Sequence, residues 1–349
     1  MKTIYSQIGL PAFQNKTYVT PEEARKATVG DVELIQDLHT GLVHNHLFRP
    51  DILEYDESYQ NEQAGSGIFR NHLQDVMSLV KKYFAHLNKG AEIGCGKGFF
   101  LEMLRRERLN ITGFDPAYQG NSPYVIKEYY NGTLGYHADY VILRHVLEHI
   151  DDPFSFLQKI SQDTNGNCYI YIEVPCFDWI IKNRAFYDIF YEHSNYFSAE
   201  ILQECFTEVL DAGHLFGGQY LYIVANLSTF KYPQRQNVHV YSKLNILGQL
   251  NHIINETDFS LPTYIWGAGA KGATLVNLLF KRGIHVEAMI DINPKKQNRF
   301  IGLSAARIVS PDNAEKLEKA NVIVMNPLYL DEIASLTKNL HPTIIEVTK

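Results

Sequence analysis

The sequence has few of the residues that build disulfide frameworks, membrane spans or nucleic-acid surfaces. Its four cysteines among 349 residues include no Cys-x-x-Cys pair, which indicates reduced thiols rather than disulfides or a zinc site. No stretch of about 18 uninterrupted apolar residues occurs, and the first residues lack the basic and apolar parts of a signal peptide. Acidic residues outnumber basic ones by 39 to 32, whereas nucleic-acid binding needs clustered Lys and Arg. We therefore expect a soluble, cytoplasmic protein that binds neither nucleic acid nor a membrane.

The sequence does contain enough apolar residues for more than one core. At 349 residues and 45% hydrophobic content, about two or three domains are expected. Apolar strands alternate with helical patterns in two blocks, which predicts two tandem α/β domains, the first with a parallel sheet covered on both faces and an antiparallel edge hairpin. The predicted division is a cap over 1–65, a first domain over 66–230, a linker and helix over 231–258, and a second domain over 259–349. Further helices are predicted at PEEARKA and DVELIQDLHT in the cap, and from Val238 to about Ile254.

The stretch AEIGCGKGFF places Gly94, Gly96 and Gly98 between a strand and a helix. Missing side chains at such a turn let the backbone approach a ligand, and Asp115 at the end of the next strand can accept hydrogen bonds from ribose hydroxyls. The spacing differs from the Gly-x-Gly-x-x-Gly turn that holds a pyrophosphate at a helix N-terminus. The turn therefore favours a nucleotide-type ligand without phosphates, such as S-adenosylmethionine, and a merely tight turn stays open as the alternative.

EIGCGKG, Asp115 and LRHVLEHIDDP resemble the successive motifs of the class I S-adenosylmethionine-dependent methyltransferases. The resemblance implies the doubly wound sheet of that class, with S-adenosylmethionine as cofactor. In that family the glycine turn lies under the methionine part of the cofactor and the acidic residue holds the ribose. The cofactor-binding residues implied by the resemblance are Glu92, Gly94, Gly96, Gly98, Asp115 and His145. His149 is interpreted as a helix histidine satisfied beside Glu148.

A second glycine turn, YIWGAGAKGATL, contains a complete Gly-x-Gly-x-x-Gly of Gly267, Gly269 and Gly272. Because Asp291 ends the following strand, the residues alone also allow an NAD-dependent oxidoreductase, and a purely structural turn stays open as a further alternative. With DINPKKQNRFIG, however, the stretch is similar to the C-terminal Rossmann-like domain of the sugar C-methyltransferases, which act on nucleotide-linked keto-deoxysugars. That resemblance implies substrate binding by the three glycines, with Lys271 meeting an anionic group or lying in solvent.

The segment GLVHNHLFRPDILEYDESYQNEQ resembles the N-terminal part of the same family, where a zinc ribbon precedes a tyrosine-rich stretch that closes over the cofactor. Residues 37–41 read Asp-Leu-His-Thr-Gly where the family has its Cys-x-x-Cys-Gly knuckle. A tetrahedral zinc site needs thiolate or imidazole ligands in pairs, so we expect a degenerate ribbon and no metal. Tyr59 and Gln63 are the residues implied to cover the cofactor.

The stretch FYDIFYEHSNYFS, residues 186–198, follows the fifth strand of the first block and should lie at the sheet edge where open α/β folds bind ligands. It is similar to the family segment whose last histidine removes a proton from the carbon that is methylated. The resemblance implies His193 as the base, Glu192 as its partner, and Tyr191 or Tyr196 as a hydroxyl of the acceptor pocket, with Asn195 binding substrate. A structural hydrogen bond between Glu192 and His193 stays open as the alternative.

Together these features predict C-methylation of a nucleotide-activated keto-sugar or a related metabolite. A histidine base suits that chemistry because its ordinary pKa lies near neutral pH. The alternatives are O- or N-methylation of a small natural-product or glycan precursor, an NAD-dependent oxidoreductase, and a non-catalytic binding module. The expected partner is a small molecule, and the expected assembly is a monomer or homodimer.

Overall fold

The computed structural model describes residues 2–53, 66–164, 166–235, 238–312 and 317–347. Its strands are β1 (Thr3–Pro11), β2 (Thr17–Tyr18), β3 (Val29–Gln36), β4 (Val43–Asn45), β5 (Gly90–Ile93), β6 (Ile111–Phe114), β7 (Val125–Ile126), β8 (Tyr140–Arg144), β9 (Tyr169–Pro175), β10 (Asn195–Tyr196), β11 (Val209–Leu215), β12 (Tyr220–Asn226), β13 (Thr263–Trp266), β14 (Ala288–Ile290), β15 (Phe300–Ile301), β16 (Ile308–Val309), β17 (Asn321–Val324) and β18 (Thr343–Glu346). Its α-helices are α1 (Pro21–Arg25), α2 (Gly67–Phe84), α3 (Phe99–Arg106), α4 (Pro153–Asp163), α5 (Phe177–Lys182), α6 (Ala199–Glu204), α7 (Gly248–Glu256), α8 (Ala270–Phe280) and α9 (Leu330–Leu336).

The central sheet has the order β11-β12-β9-β8-β5-β6-β7. Its strands β5 to β9 run parallel, and β12 and β11 add antiparallel at one edge. Tyr140 and Ile142 of β8 pack with buried residues of α2 and α3, whereas Val141 and Leu143 pack with those of α4. Helices therefore cover both faces, and the predicted doubly wound sheet with an antiparallel edge hairpin is confirmed.

The N-terminal sheet joins β1, β3 and β4 to β10 of the aromatic stretch, all antiparallel. The helix predicted at DVELIQDLHT is wrong, because residues 29–36 form β3 and pair with β1. Pairing with a strand that is distant in sequence outweighs the local helical pattern. The helix at PEEARKA is confirmed as α1, which begins after a capping box between Thr20 and Glu23.

The turn between β3 and β4 occupies the place where the family has its zinc knuckle. Its backbone is closed by hydrogen bonds from Gly41 N to Asp37 O at 2.7 Å and from Asp37 N to Leu42 O at 2.9 Å. Gly41 has φ of +81°, a conformation that glycine adopts with little strain. The hairpin is thus held by its own backbone at the position of the missing thiolates.

The C-terminal sheet is parallel throughout, with the order β16-β14-β13-β17-β18. Buried residues of β1 and of α8, among them Leu10 and Leu278, share one apolar core, so the N-terminal segment packs on this half of the protein. The long helix predicted from Val238 is wrong, because α7 begins only at Gly248. The preceding backbone is bonded elsewhere: Gln36 accepts from Tyr241 N at 3.0 Å, and Ile4 O accepts from Leu244 N at 2.8 Å.

Within the described residues, no helix has both the length and the apolar character needed to cross a membrane.

Candidate active site

The first glycine turn follows β5 and has the backbone shape that its sequence predicts. Gly94, Gly96 and Gly98 all have positive φ, and Gly98 precedes the first residue of α3. A Cβ on Gly94 would lie 2.5 Å from Val146 Cγ2, so the glycine turn packs directly on the segment that follows β8. A Cβ on Gly96 would meet nothing within 4 Å. Gly96 therefore borders open space into which a ligand can enter.

Two carboxyl groups flank this turn. Asp115 accepts hydrogen bonds from Gly96 N and Ala117 N, both at 2.8 Å, and burial raises its pKa. Glu92 is 4% exposed, and its Oε2 has no hydrogen-bond partner among the described residues. Burial raises the pKa of Glu92 to about 8, although the charge of Arg144 opposes the shift. Asp115 thus supports the turn itself, whereas Glu92 presents an unpaired acceptor.

His145, which the sequence places next to the cofactor, is engaged by two buried carboxylates instead. Its Nδ1 lies 3.3 Å from Glu148 Oε1 and its Nε2 lies 3.0 Å from Glu173 Oε1. Burial disfavours the charged ring, but the hydrogen bonds and charges of the two carboxylates outweigh burial and raise the pKa of His145 to about 9. His145 also has φ of +53°, in the left-handed region that non-glycine residues rarely adopt. Its contacts are those of a structural cation, which differs from the predicted cofactor contact.

Tyr59 and Gln63, the residues implied to cover the cofactor, lie outside the described residues.

His193 lies in the aromatic stretch with only 7% of its surface exposed. Its ring is 4.1 Å from the ring of Phe190 and 4.9 Å from that of His149, measured between centroids. Its Nδ1 has no hydrogen-bond partner within the part of the chain that the structure describes. Burial holds the pKa of His193 well below its usual range, and the positive charges of His149, His145 and Lys271 add to that effect.

Glu192 does not pair with the His193 ring as predicted. Its Oε2 accepts a hydrogen bond from Gln14 N at 2.6 Å, and its backbone carbonyl accepts one from His149 Nδ1 at 2.8 Å. The carboxylate is bound by a residue 178 positions earlier in the chain, a contact that no local sequence pattern reveals. The carboxylate of Glu192 is therefore engaged by the N-terminal segment, and its role as partner of the base stays a prediction.

The predicted pocket hydroxyls are also bound by backbone groups. Tyr191 Oη accepts from Arg49 N at 2.7 Å and donates to Arg49 O at 3.3 Å. Tyr196 Oη donates to the carbonyl of Phe190 at 3.2 Å. Both rings are buried, so these tyrosines fasten the aromatic stretch to its surroundings, and their role in the acceptor pocket stays a prediction.

Asn195 likewise has contacts other than the predicted substrate. It lies in β10 opposite His44, and its Nδ2 donates to Ile150 O and to Ser194 Oγ. Because its amide hydrogens are directed at these oxygens, the side chain holds the turn after β8 against the N-terminal sheet. The predicted contact of Asn195 with the acceptor stays a prediction.

His149 and Glu148 are the residues that the sequence reasoning undervalued. They lie in the 3₁₀ turn Leu147–His149 after β8, and His149 Nδ1 donates to Glu192 O at 2.8 Å. Glu148, His149 and His193 each offer one nitrogen or oxygen within 4.8 Å of the others. The signal was present in LEHI, where a carboxylate and an imidazole follow a strand that ends at the ligand-binding edge. Two imidazoles and a carboxylate are also a known metal-ligand set, so the expected lack of a metal stays a prediction.

The second glycine turn packs closely at Gly272, and a buried lysine from a later segment, Lys296, bonds to its backbone. A Cβ on Gly272 would lie 1.9 Å from Gly267 O, so glycine is required there for the helix to approach the strand, and the neighbouring Gly269 caps α8. Lys296 is 4% exposed and donates from Nζ to Ala268 O at 3.1 Å. The carboxylate of Asp291 accepts from Ala268 N at 2.9 Å. Asp291 thus supports this turn as Asp115 supports the first one, and a Cβ on Gly267 would meet nothing within 4 Å.

Lys271 at the start of α8 finds its anion within the chain. Its Nζ lies 2.8 Å from Asp188 Oδ2 and donates to Gln219 Oε1 at 2.8 Å. Gln219 in turn exchanges hydrogen bonds with Asn326 at the end of β17. This network joins the central domain to the C-terminal domain, and it occupies the ammonium group that was predicted to bind substrate.

Two family models match the chain on these two halves. One, described as a methyltransferase domain, matches residues 69–209, and the other, a C-methyltransferase C-terminal domain, matches residues 245–343. Together with the strand order of the central sheet, these matches support a class I methyltransferase domain over residues 69–209, followed by a domain similar to the C-terminal domain of the C-methyltransferases. S-adenosylmethionine is the cofactor of this class.

Among particular proteins, the chain is similar to C-methyltransferase NovU of Streptomyces niveus. The two are 27% identical over 169 residues, which is 44% of this chain and 40% of that relative. Two solved structures match part of the chain at 14% identity and a TM-score of 0.37 each. PH0226 of Pyrococcus horikoshii OT3 matches over 50% of this chain and 99% of its own. The N-methyltransferase NodS of Bradyrhizobium japonicum WM9 in complex with S-adenosyl-l-homocysteine matches over 49% of this chain and 92% of its own.

Proposed function

We propose that this protein transfers the methyl group of S-adenosylmethionine to a carbon atom of a nucleotide-activated keto-sugar or a related metabolite, with His193 as general base. The observation that carries the proposal is the position of His193. The buried ring of His193 lies beside the ring of His149. His149 belongs to the turn after β8, and Val146 of that turn packs against Gly94 of the first glycine turn. The base is therefore held at the same sheet edge as the cofactor-binding turn.

The residues around the first glycine turn fit the cofactor. Open space over Gly96 gives room for its methionine part, and the unpaired Oε2 of Glu92 can accept a hydrogen bond from the ammonium group of that part. When bound, S-adenosylmethionine supplies an electrophilic methyl group on a positively charged sulfur. Glu92, Gly94, Gly96, Gly98 and Asp115 are the proposed binding residues.

The chain's own contribution is to remove a proton and to exclude water. His193 takes the proton from the carbon beside a ketone, and the carbon then carries the electron pair that attacks the methyl group. His149 is held by its hydrogen bond to Glu192 O and fixes the orientation of the neighbouring ring. The rings of Phe190 and Tyr196 pack around His193 and keep water from the site. Positioning of this kind accounts for a large part of the rate in reactions of two bound groups.

The C-terminal domain supports a sugar C-methyltransferase more than an oxidoreductase. The second glycine turn is closed by Lys296 and Asp291, which leaves fewer groups for NAD. The matching family model is named for C-methyltransferases, and so is the similar protein NovU. A nucleotide-linked keto-deoxysugar is the acceptor that the resemblance implies.

The test measures methyl transfer and carbon-bound hydrogen exchange on a panel of nucleotide-linked keto-deoxysugars. In D₂O with S-adenosylhomocysteine, we expect the wild type to exchange the acceptor's C–H with solvent, and His193→Asn to lose both exchange and methylation. His214→Asn, at an exposed position on β11, is the matched control and should behave as the wild type. Methylation without C–H exchange, and only a modest slowing by His193→Asn, would indicate O- or N-transfer instead.

A further inference from the structure

Glu148 is a buried carboxylate near His193 that has no role in the proposed function. Glu148 is 1% exposed, and neither of its oxygens meets hydrogen-bond geometry among the described residues, although Oε1 lies 3.3 Å from His145 Nδ1. One carboxylate oxygen lies within 4.8 Å of a ring nitrogen of His149 and of a ring nitrogen of His193. A buried anion is costly unless donors or a cation approach it. The ring of His145 is one such cation for Oε1, whereas Oε2 of Glu148 has no hydrogen-bond donor among the described residues.

The complementary donor arises during the proposed reaction. Before proton transfer, His193 Nδ1 is buried without a hydrogen-bond partner among the described residues. Once the ring takes the acceptor's proton, the broken C–H bond leaves its electron pair on carbon and the ring carries hydrogen on both nitrogens. The charged ring then needs an acceptor and a negative charge, since an unpaired buried charge is unfavourable. Glu148 can supply both.

Glu148 is itself held in place by a chain of alternating charges. His145 bridges Glu148 and Glu173, and Glu173 accepts from Arg144 at 3.1 Å and contacts His72 Nε2 at 3.0 Å. Because the pKa of His145 is raised to about 9, its ring is charged at neutral pH and places a positive charge beside the carboxyl group of Glu148. This series of ion pairs runs from Arg144 at the end of β8 to Glu148, next to the rings of His149 and His193.

From this geometry we propose that Glu148, and not Glu192, is the carboxylate that stabilises the protonated form of His193. It is a positioning residue that acts through the histidine, and the inference rests on the proposed function of His193 as base. The other charged groups that face His193 are the rings of His149 and His145 and the ammonium of Lys271 from α8, all of which oppose its protonation. Glu148 is the nearby group of opposite sign.

The test compares Glu148→Gln with Glu192→Gln, two amide replacements of the same size. The readout is the pH dependence of kcat/KM for methyl transfer, whose acidic limb reports the protonation of the base. Glu148→Gln should lower kcat by about ten- to a hundredfold and move this limb to lower pH, since loss of the carboxylate makes the base weaker. Binding of S-adenosylhomocysteine should stay within about twofold of wild type. Glu192→Gln should leave the limb where it is and lower the unfolding temperature, because it loosens the contact with Gln14.

Glu148→Asp keeps the charge and covers the case in which the amide variant does not fold. It should keep the limb at the wild-type position with a several-fold lower kcat. A limb that moves with Glu192→Gln, or that moves equally with Asp and Gln at position 148, would overturn the proposal. So would loss of wild-type activity on dialysis against a chelator with recovery on adding Zn²⁺, which would make Glu148 a metal ligand. If the wild type methylates without C–H exchange, it is the proposed function that fails, and the limb then reports another group.

Discussion

At the scale of single residues, the buried carboxyl group of Glu92 sets a pH dependence for the whole fold. Its pKa is raised by burial from 4.5 to about 8, so the native state keeps a proton at neutral pH that the unfolded chain has released. Stability then falls as the pH rises from 4.5 towards 8, because the unfolded state binds fewer protons there than the native state. The stabilisation that Glu92 contributes is therefore complete below pH 4.5, its ordinary pKa, and is lost as the pH rises through about 8.

Glu92→Gln should flatten that pH dependence. The slope attributable to Glu92 is at most about 1.4 kcal/mol per pH unit, and the amide variant should gain stability relative to wild type as the pH rises towards 8. Urea unfolding at a series of pH values between 5 and 8 measures the difference. Glu128→Gln, at an exposed position, is the control and should keep the wild-type slope. An unchanged slope in Glu92→Gln would mean that the carboxyl is already ionised in the native state.

At the scale of elements, the second glycine turn shows why one helix position must be glycine. The third residue of α8, Gly272, lies so close to β13 that an added Cβ would be 1.9 Å from Gly267 O and 2.7 Å from Met289 Cε. The backbone oxygen cannot move without displacing the turn, so the clash is not relieved by a side-chain rotation. This contact fixes how α8, with Lys271 at its start, sits on the C-terminal sheet.

Gly272→Ala should destabilise the protein by about 1–3 kcal/mol through overpacking. The matched change Gly67→Ala, at the first residue of α2 with nothing within 4 Å of the new Cβ, should be neutral or stabilising by about 0.4–1 kcal/mol. Urea unfolding compares the two. Equal effects at both positions would show that the turn relaxes around the added methyl group.

Elements whose ends carry their own signals could be predicted from the sequence. Helix α1 begins at a capping box and was placed within two residues, and α4 likewise begins at a local signal, with Pro153 after Asp152. Strand β3 and the start of α7 were not, because their backbone groups bond to β1 and to Gln36 across distances that a local pattern does not include.

At the scale of the molecule, the same limit explains what was missed in the site. The glycine turn and His193 follow strands of a parallel sheet, so topology alone brings them to one edge. Their partners come from distant segments: Gln14 binds Glu192, Arg49 binds Tyr191, and Lys271 binds Asp188. A sequence read without pairing information shows which residue types are present, but not which of them contact one another.

The ion pair between Lys271 and Asp188 joins the central and C-terminal domains, so we expect its loss to lower the stability of the protein. The side chains are 19% and 14% exposed, so removing the lysine leaves a largely buried carboxylate unpaired. Burial already raises the pKa of Asp188 even though Lys271 opposes the shift. We expect Lys271→Met to lower the free energy of unfolding in urea by about 3 kcal/mol, and the double variant with Asp188→Asn to lower it by less than the sum of the single changes.

Lys81→Met, which breaks an exposed pair with Glu107, is the control and should lower the free energy of unfolding by less than about 1 kcal/mol. Additive effects of the two changes would mean that the pair does not join the domains energetically, and that the network through Gln219 and Asn326 holds them without it.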